Sequence, residues 1–401
     1  MEQLQKSDIS LVIPSRENLQ YFKWCYESIR KNGGSDVWIC AADDASTDGT
    51  KEYFAELSKI DKHFKYIVND SGKRRGHTIL YDLIVEQLVE TPIMGIFHSD
   101  MHLCPNALEE VLKHIKPKLI VSLTRIEPLL HPAGKEKVQL DCGIEPDKFN
   151  EQKLLEYVYA DNHGEKTTDG IFAPWFIHKQ EFLDVNGHDP LLAPQSKEDS
   201  DIFNRLMLSG CKFVQTWRGF VYHLTCRGSR YQPKLTTVGK ESDEWLIQNN
   251  RSTRNFIRKW GSMVRHLETM KPIVPHKYNI AFVVKNCTME ILSLIEPHCD
   301  RVYLNNDMVR NQYVWDEQKA TKYDMKKRVL KLDENKPFED NDIIVEFDCA
   351  RLNQNNIQIL QMLPDIITDS GEIGEMEFDI FKFKIKSMKT YEHTLIKKVE
   401  K

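Results

Sequence analysis

The first half of the chain alternates between two hydrophobic patterns. Short unbroken apolar runs are followed by longer segments in which apolar residues recur every three or four positions. Residues 9–13 (I-S-L-V-I) form such a run, ended by Pro14. A helix then starts at Asn18, with Leu19, Phe22, Tyr26 and Ile29 on one face, and Gly33 and Gly34 stop it. The same alternation predicts strands at residues 37–41, 64–68, 92–97 and 119–123, with helices at residues 50–60, 76–89 and 105–114 between them. Strand–helix repetition of this kind implies an α/β fold, with parallel strands, right-handed crossovers and helices on both faces of the sheet. Ligands of such sheets sit at the carboxyl ends of the strands, so the chemistry is sought there.

Residues 125–170 form a long irregular insertion with one helix, at residues 151–159. Long insertions in compact domains are often functional. Strand character returns at residues 171–177 and 212–223, with helices at residues 199–209 and 241–260, the latter closed by Gly261. Pro272-Ile273-Val274-Pro275 reads as a linker. Beyond it, strands at residues 280–284, 301–304, 343–347 and 378–385 and a helix at residues 355–363 suggest a small α+β domain. The expected division is therefore residues 1–271 and residues 276–401, and no chemistry-bearing cluster stands out in the second part.

Composition narrows the function classes. Of 401 residues, 41% are apolar and 29% charged, as in an ordinary globular protein. The formal net charge of −5 gives nucleic acid no basic field to bind. Nine cysteines are scattered singly without a CxxC, which implies reduced thiols and a cytoplasmic setting. The polar start does not read as a signal peptide, and no run is long enough to span a bilayer. Peripheral membrane contact and oligomerisation stay open.

Four clusters fall where strands end or helices begin. Pro14-Ser15-Arg16 offers backbone amides and a guanidinium to a diphosphate, or is simply a turn. Asp43-Asp44-Ala45-Ser46-Thr47-Asp48-Gly49-Thr50 begins with two carboxylates able to accept from a base and a ribose; its later residues also suit a turn and a helix cap. His98-Ser99-Asp100-Met101-His102 combines a hard oxygen ligand with imidazoles, a set that favours Mn²⁺ over Ca²⁺. Lys197-Glu198-Asp199 opens a helix, where acidic residues suit the helix dipole and where Asp199 could equally act as a general base. His223, after the last strand of this half, could complete a metal site.

The order of these clusters resembles the family-2-type GT-A glycosyltransferases over about residues 8–261, and Asp-Asp-Ala-Ser-Thr-Asp-Gly-Thr is among that family's most specific signatures. Residues 255–261 (N-F-I-R-K-W-G) are similar to the segment that closes its catalytic domain. The resemblance implies a GT-A domain that transfers a sugar with inversion from a nucleoside-diphosphate sugar, UDP-linked in the first instance, to a hydroxyl of a glycan, lipid-linked or protein acceptor. Asp43 and Asp44 would hold base and ribose, with Pro14, Ser15, Arg16, Arg75, Gly76 and Ser99 also on the donor side. Asp100 would bind Mn²⁺ (or Mg²⁺) with His223 and with His98 or His102. Asp199 would be the base, with Trp175 and Glu198 near the acceptor. Two positions depart from the family pattern: His98 stands where an Asp is usual, and Tyr81-Asp82 where an Arg-Asn pair is usual. A pyrophosphorylase or NAD-linked Rossmann enzyme would need a glycine-rich loop after the first strand, and Pro14-Ser15-Arg16-Glu17-Asn18 has none. A non-catalytic binding protein on the same fold is the other reading; His98 favours it, and the joint presence of Asp44, Asp100 and Asp199 speaks against it.

Overall fold

The structure is a computed structural model that describes residues 3–130, 133–160, 162–224, 241–333, 338 and 340–398. Cys226 lies outside the described residues; the other eight cysteines are all free and buried. The chain forms two compact units, Met1–Gln248 with His266–Ile273, and Asn249–Arg265 with Val274–Val399.

The first unit carries strands β1 (Ile9–Ser15), β2 (Trp38–Asp43), β3 (Phe64–Val68), β4 (Ile93–Ile96), β5 (Met101–Leu103), β6 (Leu119–Glu127), β7 (Lys137–Gln139), β8 (Thr167–Thr168), β9 (Trp175–His178) and β10 (Lys212–His223). Its helices are α1 (Leu19–Ser28), α2 (Thr50–Ile60), α3 (His77–Gln87), α4 (Ala107–His114), α5 (Glu151–Tyr159), α6 (Lys179–Asp184), α7 (Glu198–Leu208) and the start of α8 (Asp243–Trp260). The sheet runs β3-β2-β1-β4-β9-β6-β10-β5, with β7 beside β6 and β8 beside β10. Strands β1 to β4 are parallel, as the alternation implies, and so are β6 and β10. β9 and β5 are antiparallel insertions that the parallel expectation did not include. β5 follows β4 after a turn too short for a crossover helix, which forces it to reverse. Leu11, Ile13, Ile39 and Ile96 are fully buried, so β1, β2 and β4 are interior strands and their carboxyl ends lie together.

The second unit carries β11 (Ile280–Lys285), α9 (Met289–Ile295), β12 (Arg301–Leu304), α10 (Asp307–Glu317), α11 (Met325–Arg328), β13 (Val329–Lys331), β14 (Ile343–Asp348), α12 (Ile357–Gln361), α13 (Leu363–Ser370), β15 (Gly374–Phe378) and β16 (Phe381–Ile385). Its mixed sheet, β13-β12-β11-β14-β16-β15, is parallel through β14 and antiparallel beyond it. The continuous strand expected at residues 378–385 is a hairpin, because Asp379 turns the chain at a φ of 54°. Fully buried Glu296 is clamped by Arg258 at 2.6 Å, Arg328 at 2.6 Å and the Tyr313 hydroxyl at 3.0 Å. The later part of α8 is thereby fixed to this unit.

Candidate active site

Parallel pairing brings the ends of β1, β2, β4, β6 and β10 to one edge of the first sheet. Ser15 and Asp43 are register partners at the ends of β1 and β2. Glu127 and His223 are the last residues of β6 and β10, and His98 to Asp100 follow β4.

His98, Asp100 and His223 converge so that one ligand atom from each lies within 4.8 Å of the others. His223 Nε2 is 3.4 Å from Asp100 Oδ1, and its Nδ1 is 2.9 Å from Glu127 Oε1. Burial disfavours charge on His223, but Asp100 and Glu127 outweigh it and push the imidazole up to about 9. Burial works against the Asp100 carboxylate as well, yet His223 keeps its pKa below the ordinary value. Burial, reinforced by His223, holds His98 down at about 4, so its ring is neutral and its lone pair is available.

This trio passes a simple test of fit for a divalent ion. Bonds of about 2.1 Å keep two ligands at most ~4.2 Å apart, so the set needs only a small inward rotation. One carboxylate with two imidazoles suits Mn²⁺ better than Mg²⁺, which prefers oxygen and water. Glu127 is the residue that the sequence reading missed. It is 1% exposed, and besides His223 it accepts from Arg125 at 3.0 Å and Lys137 at 2.8 Å. A carboxylate on Nδ1 fixes the tautomer that leaves Nε2 for the metal. The strand expected at residues 119–123 in fact runs on to Glu127, and its signal was the alternation Arg125-Ile126-Glu127, in which two charges two apart share one face.

His102 does not join the trio. In the antiparallel β5–β10 pair His102 faces Tyr222, whereas His223 faces Met101. Successive residues point to opposite faces, so His102 turns away from the trio. Its ring lies 5.1 Å from Trp24 and 4.9 Å from Phe149, where burial holds it down at about 4.

The two carboxylates Asp43 and Asp44, at the end of β2, differ in their partners. Asp44 is engaged internally. It accepts from Asn69 at 2.8 Å, from the Arg75 amide at 2.9 Å and from the Gly76 amide at 2.8 Å. It therefore shapes the loop before α3, which changes the direct contact with base and ribose expected of it. Asp43 accepts a long bond from the Ser46 amide, 3.3 Å, and burial raises its pKa. Ser15 Oγ is buried without a hydrogen-bond partner among the described residues, and Ser99 Oγ accepts from Asn18 at 3.3 Å. Arg16 and Arg75 are exposed, and Arg16 lies near enough to Arg74 to lower the latter's pKa, although burial of Arg74 is the larger cause. Gly76 has a φ of +85°, and an added Cβ would stand 2.2 Å from Pro194.

Glu198 and Asp199 open α7. Glu198 is paired with His77 at 2.5 Å. Asp199 makes no hydrogen bond among the described residues, and burial together with the Glu198 charge pushes it up to about 6. Asp82, where the family pattern has Asn, accepts from the His188 amide and ring, both at 2.9 Å. Trp175 offers no face to an acceptor. It is fully buried, 5.6 Å edge-on to Phe203 and 6.5 Å from Phe182. Its place in β9, between β4 and β6, makes it a core residue.

Comparison with known proteins gives one family match: residues 10–175 fit the model described as Glycosyl transferase family 2. No curated protein matches. Among solved structures, the chain is similar to GalNAc-T7 with UDP, GalNAc and Mn²⁺ (14% identity, TM-score 0.43, 62% of this chain and 47% of that one). It is also similar to S. aureus TarS (13% identity, TM-score 0.40, 54% and 36%). A third is the mannosyltransferase PcManGT from Pyrobaculum calidifontis with GDP-Man and Mn²⁺ (12% identity, TM-score 0.42, 63% and 63%). The chain spans less than half the length of the first two. Among the described residues, no helix is long and apolar enough to cross a membrane.

Proposed function

From the match of residues 10–175 to the glycosyl transferase family 2 model, we propose that the chain is a metal-dependent, inverting hexosyltransferase acting on a UDP-sugar. The acceptor is a hydroxyl of a glycan, lipid-linked or protein substrate. The observations that carry this reading are the Asp199 carboxyl, raised to about 6, and the His98–Asp100–His223 trio, with Asp199 and Asp100 both near enough to Tyr81 to disfavour its ionisation.

A general base works best with a pKa near the working pH. Asp199 meets that condition and accepts the acceptor's hydroxyl proton as the oxygen attacks the anomeric carbon. The bond to the nucleoside diphosphate breaks on the opposite face, so the anomeric configuration inverts and no covalent intermediate forms. His98, Asp100 and His223 would hold the ion, whose chemistry when bound is to neutralise the departing diphosphate. Asp43, Ser15 and Arg16 line the donor side; Arg74 and Arg75 add positive charge there, and Glu198 stands on the acceptor side.

Asp199→Asn tests the assignment. The variant should lose transfer by two or more orders of magnitude while UDP and Mn²⁺ still raise its melting temperature. Retained turnover would remove Asp199 from the role. A panel of nucleotides and nucleotide-sugars with and without Mn²⁺ tests the donor site itself, and no thermal shift with any of them would overturn it.

A further inference from the structure

The start of α3 and the start of α7 are joined by a row of contacts. Arg74 donates to Gln195 at 2.5 Å. Gly76 packs against Pro194, whose carbonyl accepts from the Thr78 hydroxyl at 3.2 Å. His77 closes the row with its 2.5 Å bond to Glu198 Oε1. Glu198 is 5% exposed, and its other oxygen is buried with no hydrogen-bond partner among the described residues. A helix dipole suffices to explain acidic residues in a first turn. It does not explain a histidine brought from another helix to one oxygen of a buried carboxylate.

We propose that His77 is a positioning residue, whose hydrogen bond to Glu198 sets where the Asp199 carboxylate lies and how readily it takes a proton. The proposal rests on the reading of Asp199 as the base.

The surroundings of Asp199 give the sign of each effect. Glu198 repels a charge on Asp199, while His188, His77 and Arg125 favour it. Tyr81 also faces this group, and Asp199 in turn disfavours its ionisation. Arg74 stands on the far side of His77 and works against its charge. Burial disfavours the imidazolium too, but Glu198 outweighs both and raises His77. Burial likewise opposes charge on Glu198, and His77 keeps it ionised. Loss of the His77 charge should therefore make Asp199 harder to ionise, and loss of the Glu198 charge should make it easier.

Carboxyl ¹³C NMR on aspartate-labelled full-length protein reads the Asp199 midpoint directly, the resonance being the one missing in Asp199→Asn. In His77→Gln the midpoint should rise by about half a pH unit or more, and in Glu198→Gln it should fall by a similar amount. The acid limb of turnover should shift the same way in each. Opposite shifts are not what a packing role produces. Midpoints unmoved in both variants would overturn the proposal. If His77→Gln fails to fold, Glu198→Gln decides alone, and an unmoved midpoint there overturns it. Turnover by Asp199→Asn is a separate readout: if it persists, the base assignment fails whatever the two midpoints do.

Discussion

At the scale of single residues, the site is organised by buried charges that share partners. Asp199 carries a pH prediction. With its pKa near 6, turnover should climb as pH rises through 6, and a kcat profile from pH 5 to 8 shows that limb. The same shift works against the fold. A carboxyl raised above its unfolded value contributes most below pH 4, and that contribution is lost as pH rises through about 6. Asp199→Asn should therefore melt higher than the parent at pH 7, and the difference should vanish below about pH 4. Glu127 carries a second prediction. Glu127→Gln weakens the acceptor on His223 Nδ1, and Mn²⁺ affinity measured by calorimetry should fall about 10- to 100-fold. These residues were unequally legible in the sequence. Asp100, Asp199 and His223 show as polar residues at element ends. Glu127 and His77 also stand at element ends, but their roles depend on partners 96 and 121 positions away, which no local pattern reveals. Between His98 and His102, spacing alone does not choose, because it does not reveal the turn at Ser99 and Asp100 that leads straight into β5.

Elements were easier to read than their order in the sheet. The buried runs of β1, β2 and β4 and the periodic helices between them follow from hydrophobic pattern alone. The antiparallel β9 does not, since a four-residue strand carries no direction in its composition. Where two elements touch closely, one glycine decides the outcome. Gly76→Ala would place a methyl 2.2 Å from Pro194 in a backbone conformation that disfavours side chains. It should cost about 1–3 kcal/mol in urea unfolding. It should also weaken nucleotide binding, because the amides of Arg75 and Gly76 would leave Asp44.

For the whole molecule, the second unit depends on a buried ionic knot rather than on apolar packing alone. Glu296 has its pKa pulled down to about 2, because Arg328 and Arg258 outweigh the cost of its burial. Glu296→Ala leaves two buried guanidinium groups without that counter-charge and should destabilise this unit by about 3–5 kcal/mol. Calorimetry should show that loss in one thermal transition and leave UDP-induced stabilisation of the other in place. Arg258 reaches this knot from α8, a helix that the hydrophobic pattern alone would assign to the preceding segment.

That crossing has a practical meaning for anyone dissecting or recombining the chain. The backbone passes from one unit to the other after Gln248, returns after Arg265 and leaves again after Ile273. No single cut therefore yields two self-sufficient fragments. A truncation in the P-I-V-P segment would keep Arg258 on the N-terminal piece and leave Glu296 on the other without it. Chimaeras joined at the apparent linker should therefore lack the second unit's thermal transition.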